Sequence, residues 1–149
     1  MGINSWSQTG YSYHHNTATP QSLTTSFQAF EVTQDTTNNT NSNLFPDSGH
    51  IETVEFDFTV KGDATSVTMY LARDSNGDCA ITSASASGAT ENLTAGGSAG
   101  TAHGVFIVDN DYNYDDSVAN TTPGSIYVMA KVDDQNNSPK ANIRVNWRR

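Results

Sequence analysis

Period-two alternation is the feature that most restricts this chain. In residues 141–149, Ala141, Ile143, Val145 and Trp147 alternate with Asn142, Arg144, Asn146 and Arg148. In residues 51–60, Val54, Phe56, Phe58 and Val60 alternate with Glu55, Asp57 and Thr59. Successive side chains of a strand point to opposite faces, so each stretch buries one face and wets the other. No segment repeats apolar residues at helical spacing over a helical length. A chain patterned this way buries its apolar faces by packing sheet on sheet.

Further strands are predicted at residues 25–33, 67–71, 79–82 and 126–132. The run VFIVD at residues 105–109 is apolar without interruption, which predicts a strand covered on both faces. Turns separate these runs. The sharpest is Asp74-Ser75-Asn76-Gly77-Asp78, because Asn-Gly readily takes the positive φ of a tight hairpin. Residues 34–50 read as a polar loop with one apolar tether, Leu44-Phe45-Pro46. Residues 83–104 read as a Ser/Ala/Gly loop or weak edge hairpin, and residues 110–124 as an acidic loop. Several short strands with turns between them predict an all-β fold, an antiparallel β-sandwich of jelly-roll-like form with long polar loops.

The 149 residues fit one domain. Residues 1–22 read as an extended N-terminal arm and residues 23–149 as the sandwich. The arm carries Trp6, Tyr11 and Tyr13, aromatic residues that suit ordering against the domain or a neighbour. Only 35% of residues are hydrophobic, but only 15% are charged. Disordered chains combine low hydrophobicity with many charges, so this composition fits a folded domain instead. The formal net charge of -9 argues against nucleic-acid binding, which needs a positive field. Four of the seven basic residues, Lys140, Arg144, Arg148 and Arg149, sit in the last ten, while the acids crowd elsewhere.

Cys79 is the single cysteine, so no intrachain disulfide forms; assembly in a reducing cytoplasm is expected. Residues 1–6 lack a basic start followed by an apolar stretch, so no secretory signal is expected. No apolar run approaches the ~20 residues that a membrane-spanning helix needs.

Few residues carry a chemical signature. Asp74, Asn76 and Asp78 match the opening of a calcium loop. Position six is then Cys79 in place of glycine, and position twelve is Ser85 in place of glutamate. The hairpin turn is the stronger reading. Asp111, Tyr112 and Tyr114 lie in the expected acidic loop, where carboxylates and tyrosines suit a sugar or a cation, or simply solvent. The four histidines, His14, His15, His50 and His103, fall in loop-like segments and no motif joins them to a nucleophile. There is no G-x-S-x-G elbow, P-loop, H-E-x-x-H or cysteine pair. The reading is therefore of a protein that is not an enzyme and takes no cofactor. Arg144, Trp147 and Arg148 are of the residue types that dominate interface hot spots. With Trp6, Tyr11, Tyr13, Leu44 and Phe45 they form the expected interface set.

Three stretches carry a resemblance. VTMYLARDSNGD at residues 67–78, GSIYVMAKVDD at residues 124–134 and ANIRVNWRR at residues 141–149 resemble small structural proteins of tailed phages. In those proteins a strand enters a D-S-x-G-D turn and a closing strand ends in x-W-R. The resemblance implies a virion component on the capsid surface, a decoration or cement protein made in the host cytoplasm. It further implies contacts with the major capsid protein or other virion proteins, and a homo-oligomer, with a trimer as first expectation. The segments MYLARDSNGD and GSIYVMAKVDD also resemble, more weakly, pre-peptidase-type β-sandwiches of secreted enzymes. The alternative expectation is a carbohydrate- or receptor-binding module using Asp111, Tyr112 and Tyr114. Neither expectation involves nucleic acid or a membrane.

Overall fold

The computed structural model describes residues 12–32, 45–82, 89–93, 100–119, 121 and 123–149. They form an all-β fold of two antiparallel sheets packed as a sandwich. The strands are β1 (Ser12–Asn16), β2 (Gln21–Ser22), β3 (Gln28–Glu31), β4 (Ser48–Val60), β5 (Ser66–Ala72), β6 (Ala89–Asn92), β7 (Ala102–Asn113), β8 (Tyr127–Val132) and β9 (Lys140–Arg148). The first sheet runs β1-β9-β4-β7, with β2 also paired to β9; the second runs β3-β8-β5-β6. We call them sheet A and sheet B.

Alternation explains the core. Ile51, Val54, Phe56 and Phe58 of β4 and Ile143, Val145 and Trp147 of β9 face inward. They meet Val67, Met69 and Leu71 of β5 and Val128, Ala130 and Val132 of β8. The register of β4 slips between Ile51 and Thr53 against both of its neighbours. Asp109 of β7 sits beside that slip with a φ of 46°. Such bulges kink and re-aim a strand locally.

Residues 12–22 of the expected arm supply β1 and β2, both paired with β9. Thr17 ties this segment further: its amide donates to the Ile143 carbonyl, and its hydroxyl accepts from the Ile143 amide. Residues 1–11 lie outside the described residues, as do residue 33 at the end of the first expected strand and, within the two expected loops, 34–44, 83–88 and 94–99.

Several expectations are corrected. The strand covered on both faces is β5, where six consecutive residues from Val67 to Ala72 are buried. The run at residues 105–109 belongs to β7, whose burial alternates instead. The reason is position: β7 ends sheet A with one face wet, whereas β5 lies inside sheet B beneath a second apolar layer. Residues 110–113 continue β7 and are not loop. The stretch 79–82 contributes only an isolated bridge between Ala80 and Ala72. All four histidines lie on strands: His14 and His15 on β1, His50 on β4, His103 on β7.

Candidate functional site

The outer face of sheet A gathers the charged side chains. Register sets them in rows across the sheet: Arg148, His50 and Asp111; Arg144, Glu55 and Val105; Asn142, Asp57 and His103. Arg148 Nε lies 3.3 Å from Glu52 Oε1 and Arg144 Nη1 lies 3.7 Å from Glu55 Oε2. His103 Nδ1 lies 2.5 Å from Asp57 Oδ1. These half-exposed pairs position side chains more than they stabilise, since exposed ion pairs contribute only about 0–1 kcal/mol each.

His50 holds the slipped register. Its Nδ1 lies 2.6 Å from Asp111 Oδ1 and its Nε2 lies 2.8 Å from Asp109 Oδ1. Both contacts are hydrogen bonds to ionised carboxylates only if both ring nitrogens carry protons, so the geometry fits an imidazolium. The hydrogen bond to Asp111 is the largest influence and raises the His50 pKa, desolvation opposes it, and the bond to Asp109 adds to it. The sequence signal for this clamp was Asp109 and Asp111, two positions apart and thus on one face of a strand; reading residues 110–124 as loop hid it.

Beside the clamp lies an open groove of about 510 Å³, lined by Ser48, His50, Asp111, Tyr112, Arg148 and Arg149 among others. Tyr112 is 4% exposed. Its ring packs edge-on to Phe45, with centroids 6.3 Å apart, and the Arg73 guanidinium sits 4.9 Å from its centroid. Burial pushes the phenol up to about 12. Tyr112 is thus a core residue and offers no face on which a sugar stacks. Tyr114 is half-buried and its amide donates to the Asp47 carbonyl. The structure brings Asp111 and Tyr112 to one groove and leaves Tyr114 off its wall.

Arg73 was not singled out by the sequence, although an arginine closing an apolar strand is the signal. It is 1% exposed and donates to the carbonyls of Ser125 at 3.1 Å, Asp47 at 3.1 Å and Pro46 at 3.4 Å. Burial lowers its pKa. The side chain cross-links the lead-ins to β4 and β8.

No protein-family model matches the chain, and no curated protein sequence matches it.

The other expected residues are placed as follows. Trp147 is buried; its Nε1 donates to His15 Nδ1 at 2.8 Å, and Tyr13 stacks on it at 4.6 Å. Phe45 is 2% exposed and stacks on His15 at 4.0 Å, so it pins the chain to the core and presents nothing outward. Arg144 and Arg148 are exposed on the outer face of sheet A, and Arg144 Nε also donates to Asn16 Oδ1 at 3.0 Å. Trp6, Tyr11 and Leu44 lie outside the described residues. Asp74 is 2% exposed, and its carboxylate accepts from the amides of Asn76, Asp78 and Cys79. That carboxylate organises the turn, while Asn76 and Asp78 point to solvent. Among the described residues no three His, Cys, Asp or Glu side chains gather to hold a metal.

Proposed function

We propose that the protein is a structural component of a phage virion, of the capsid decoration type, which acts by docking the outer face of sheet A onto neighbouring chains. One observation carries this reading. Ile107 is 83% exposed and Val105 is 37% exposed, side by side on the outward face of the strand that ends sheet A. An edge strand with an exposed apolar row on its outer face is a site of association with another chain. Around that row the charges are already paired within the face, so a partner meets few unpaired charges there. The phage assignment rests on the resemblance of residues 67–78, 124–134 and 141–149, which supply β5, β8 and β9 with the turn after β5.

The test is purification of particles of the phage that encodes the chain. Mass spectrometry finds the chain in them, and adding wild-type chain to particles that lack it raises their resistance to heating. Chain carrying Ile107→Lys neither binds nor protects. Particles free of the chain, or equal protection by both forms, would reject the reading. A truncation to probe Trp6 and Tyr11 removes residues 1–11 and stops there, because removing residues 12–22 strips two strands from β9.

The groove beside His50 supports a second reading, recognition of a carbohydrate or receptor, since its size suits a small ligand. Selective glycan binding on an array, lost in Arg149→Ala, would favour it over adhesion.

A further inference from the structure

We propose that the groove beside His50 takes a sugar bearing a single negative group, a carboxylate or a sulfate ester, held between Arg149 and the Tyr112 hydroxyl. This rests on the carbohydrate reading of the groove and names the class of sugar.

Register lays out the groove. Arg148 and Arg149 line it on the β9 side, Asp111 and Asn113 on the β7 side, and Ser48 and Gly49 of β4 lie between them. Tyr112 starts on β7 opposite Gly49, and its ring reaches across to that glycine. A Cβ at Gly49 would lie 2.7 Å from the hydroxyl oxygen, so only the bare glycine leaves the hydroxyl its place. The ring face is covered, but the hydroxyl, though buried, has no hydrogen-bond partner. A buried donor left unpaired is costly, and an acceptor supplied by a ligand relieves that cost. With its pKa pushed up to about 12, the phenol stays protonated and donates.

Arg149 is the second donor in need of an acceptor. Arg148 is held by Glu52, and both ring nitrogens of His50 are taken by Asp109 and Asp111. Arg149 is exposed, and among the described residues no carboxylate pairs with it. Its charge nevertheless reaches the Tyr112 phenol, whose pKa it lowers against the larger effect of burial. An oxyanion supplies acceptors to both groups, and hydrogen bonds from a guanidinium to an anion are about twice as strong as neutral ones. The net charge of -9 opposes any anion, but salt screens exposed charges beyond about 8 Å, so the guanidinium in contact decides. Asp111 stands two strand spacings, about 10 Å, across the groove from β9. Its carboxylate accepts from hydroxyls and repels a second negative charge, while the Asn113 amide serves hydroxyls in either sense. The complementary ligand is therefore anionic at one end and hydroxylated at the other, which describes an acidic monosaccharide unit. A groove of about 510 Å³ has room for it.

Calorimetric titration of the full chain tests the assignment. The probes are oligosaccharides ending in glucuronic acid, a sialic acid or a sulfated hexose, each compared with its neutral form, the methyl ester or the unsulfated glycan. Wild type binds at least one acidic probe roughly tenfold or more tightly than its neutral form, and the carboxylate and sulfate arms show which oxyanion is used. Arg149→Gln abolishes the preference. Tyr112→Phe weakens binding of the acidic probe severalfold while its thermal midpoint stays at or above that of wild type, because no internal hydrogen bond is lost. Lys131→Gln makes the same charge change on sheet B and leaves the preference intact. Equal binding of acidic and neutral forms, a preference that survives Arg149→Gln, or acidic binding unchanged in Tyr112→Phe would each overturn the proposal. Neutral glycans bound as tightly as acidic ones leave the carbohydrate reading standing without it, whereas binding of no glycan rejects both.

Discussion

The outer faces of the two sheets solve the same problem in opposite ways. Sheet B covers its outer face with a second apolar cluster: Tyr70, Ala72 and Met129 are buried, and Phe27, Ala29 and Tyr127 pack against them. Phe27 meets Tyr70 edge-on with centroids 5.2 Å apart, and Lys131 Nζ lies 4.7 Å from the Phe27 centroid. Sheet A leaves its outer face wet, cross-linked by Arg144–Glu55, Arg148–Glu52 and the His50 clamp, with Val105 and Ile107 uncovered. A face that closes on itself contributes stability, and a face left open is available for contact. The comparison therefore predicts that substitutions on sheet B's outer face cost folding while those on sheet A's cost association.

The sharpest contrast is Tyr70→Ala against Ile107→Ala. The first empties a buried aromatic site and lowers stability by about 3 kcal/mol; the second changes it by less than about 0.5 kcal/mol. Urea unfolding of both variants measures the difference, and equal losses would erase the distinction between the faces.

Gly77→Ala approaches sheet B from the turn. Gly77 has a φ of 78°, and a methyl group there collides with the Tyr70 hydroxyl. Strain and collision together lower stability by roughly 2 kcal/mol, read as a shifted thermal midpoint. A midpoint unchanged from wild type would mean that the turn does not brace the cluster.

The legibility of the two faces differs for the same reason. Sheet A's β4 and β9 alternate in sequence because one face meets water, so Trp147 inward and Arg144 and Arg148 outward followed from period two alone. In sheet B the residues Tyr70 and Ala72 are buried under a cluster that draws on distant positions such as Phe27, which no local pattern reports. The VFIVD run misled because an uncovered apolar pair on an edge strand looks, in sequence, like a doubly buried strand. The turn at residues 74–78 was legible from Asn-Gly, but the role of Asp74 as acceptor for three amides required the fold.

Smaller effects belong to sheet A. Arg144→Ala removes a half-exposed pair and lowers stability by roughly 0.5 kcal/mol, less at high salt; a double-mutant cycle with Glu55→Gln measures it. Smallest is the pH response of His50. Its folded pKa lies above the ordinary 6.5, chiefly through the bond to Asp111. The contribution of the clamp is thus fully present below the unfolded value near 6.5 and is lost as pH rises through the raised folded value. Wild type loses slightly more stability across that window than His50→Gln, and NMR titration of the His50 ring locates its midpoint above 6.5. A midpoint below 6.5 would contradict the doubly bonded imidazolium.

Oxidative footprinting compares the chain free in solution with the chain bound on intact particles, and it asks most directly which face is used. Docking through sheet A protects Val105, Ile107 and the neighbouring His103 on binding, while Tyr127 and Phe27 on sheet B label equally in both states. Protection confined to the sheet B residues, with Ile107 still labelled at its free rate, would contradict the account.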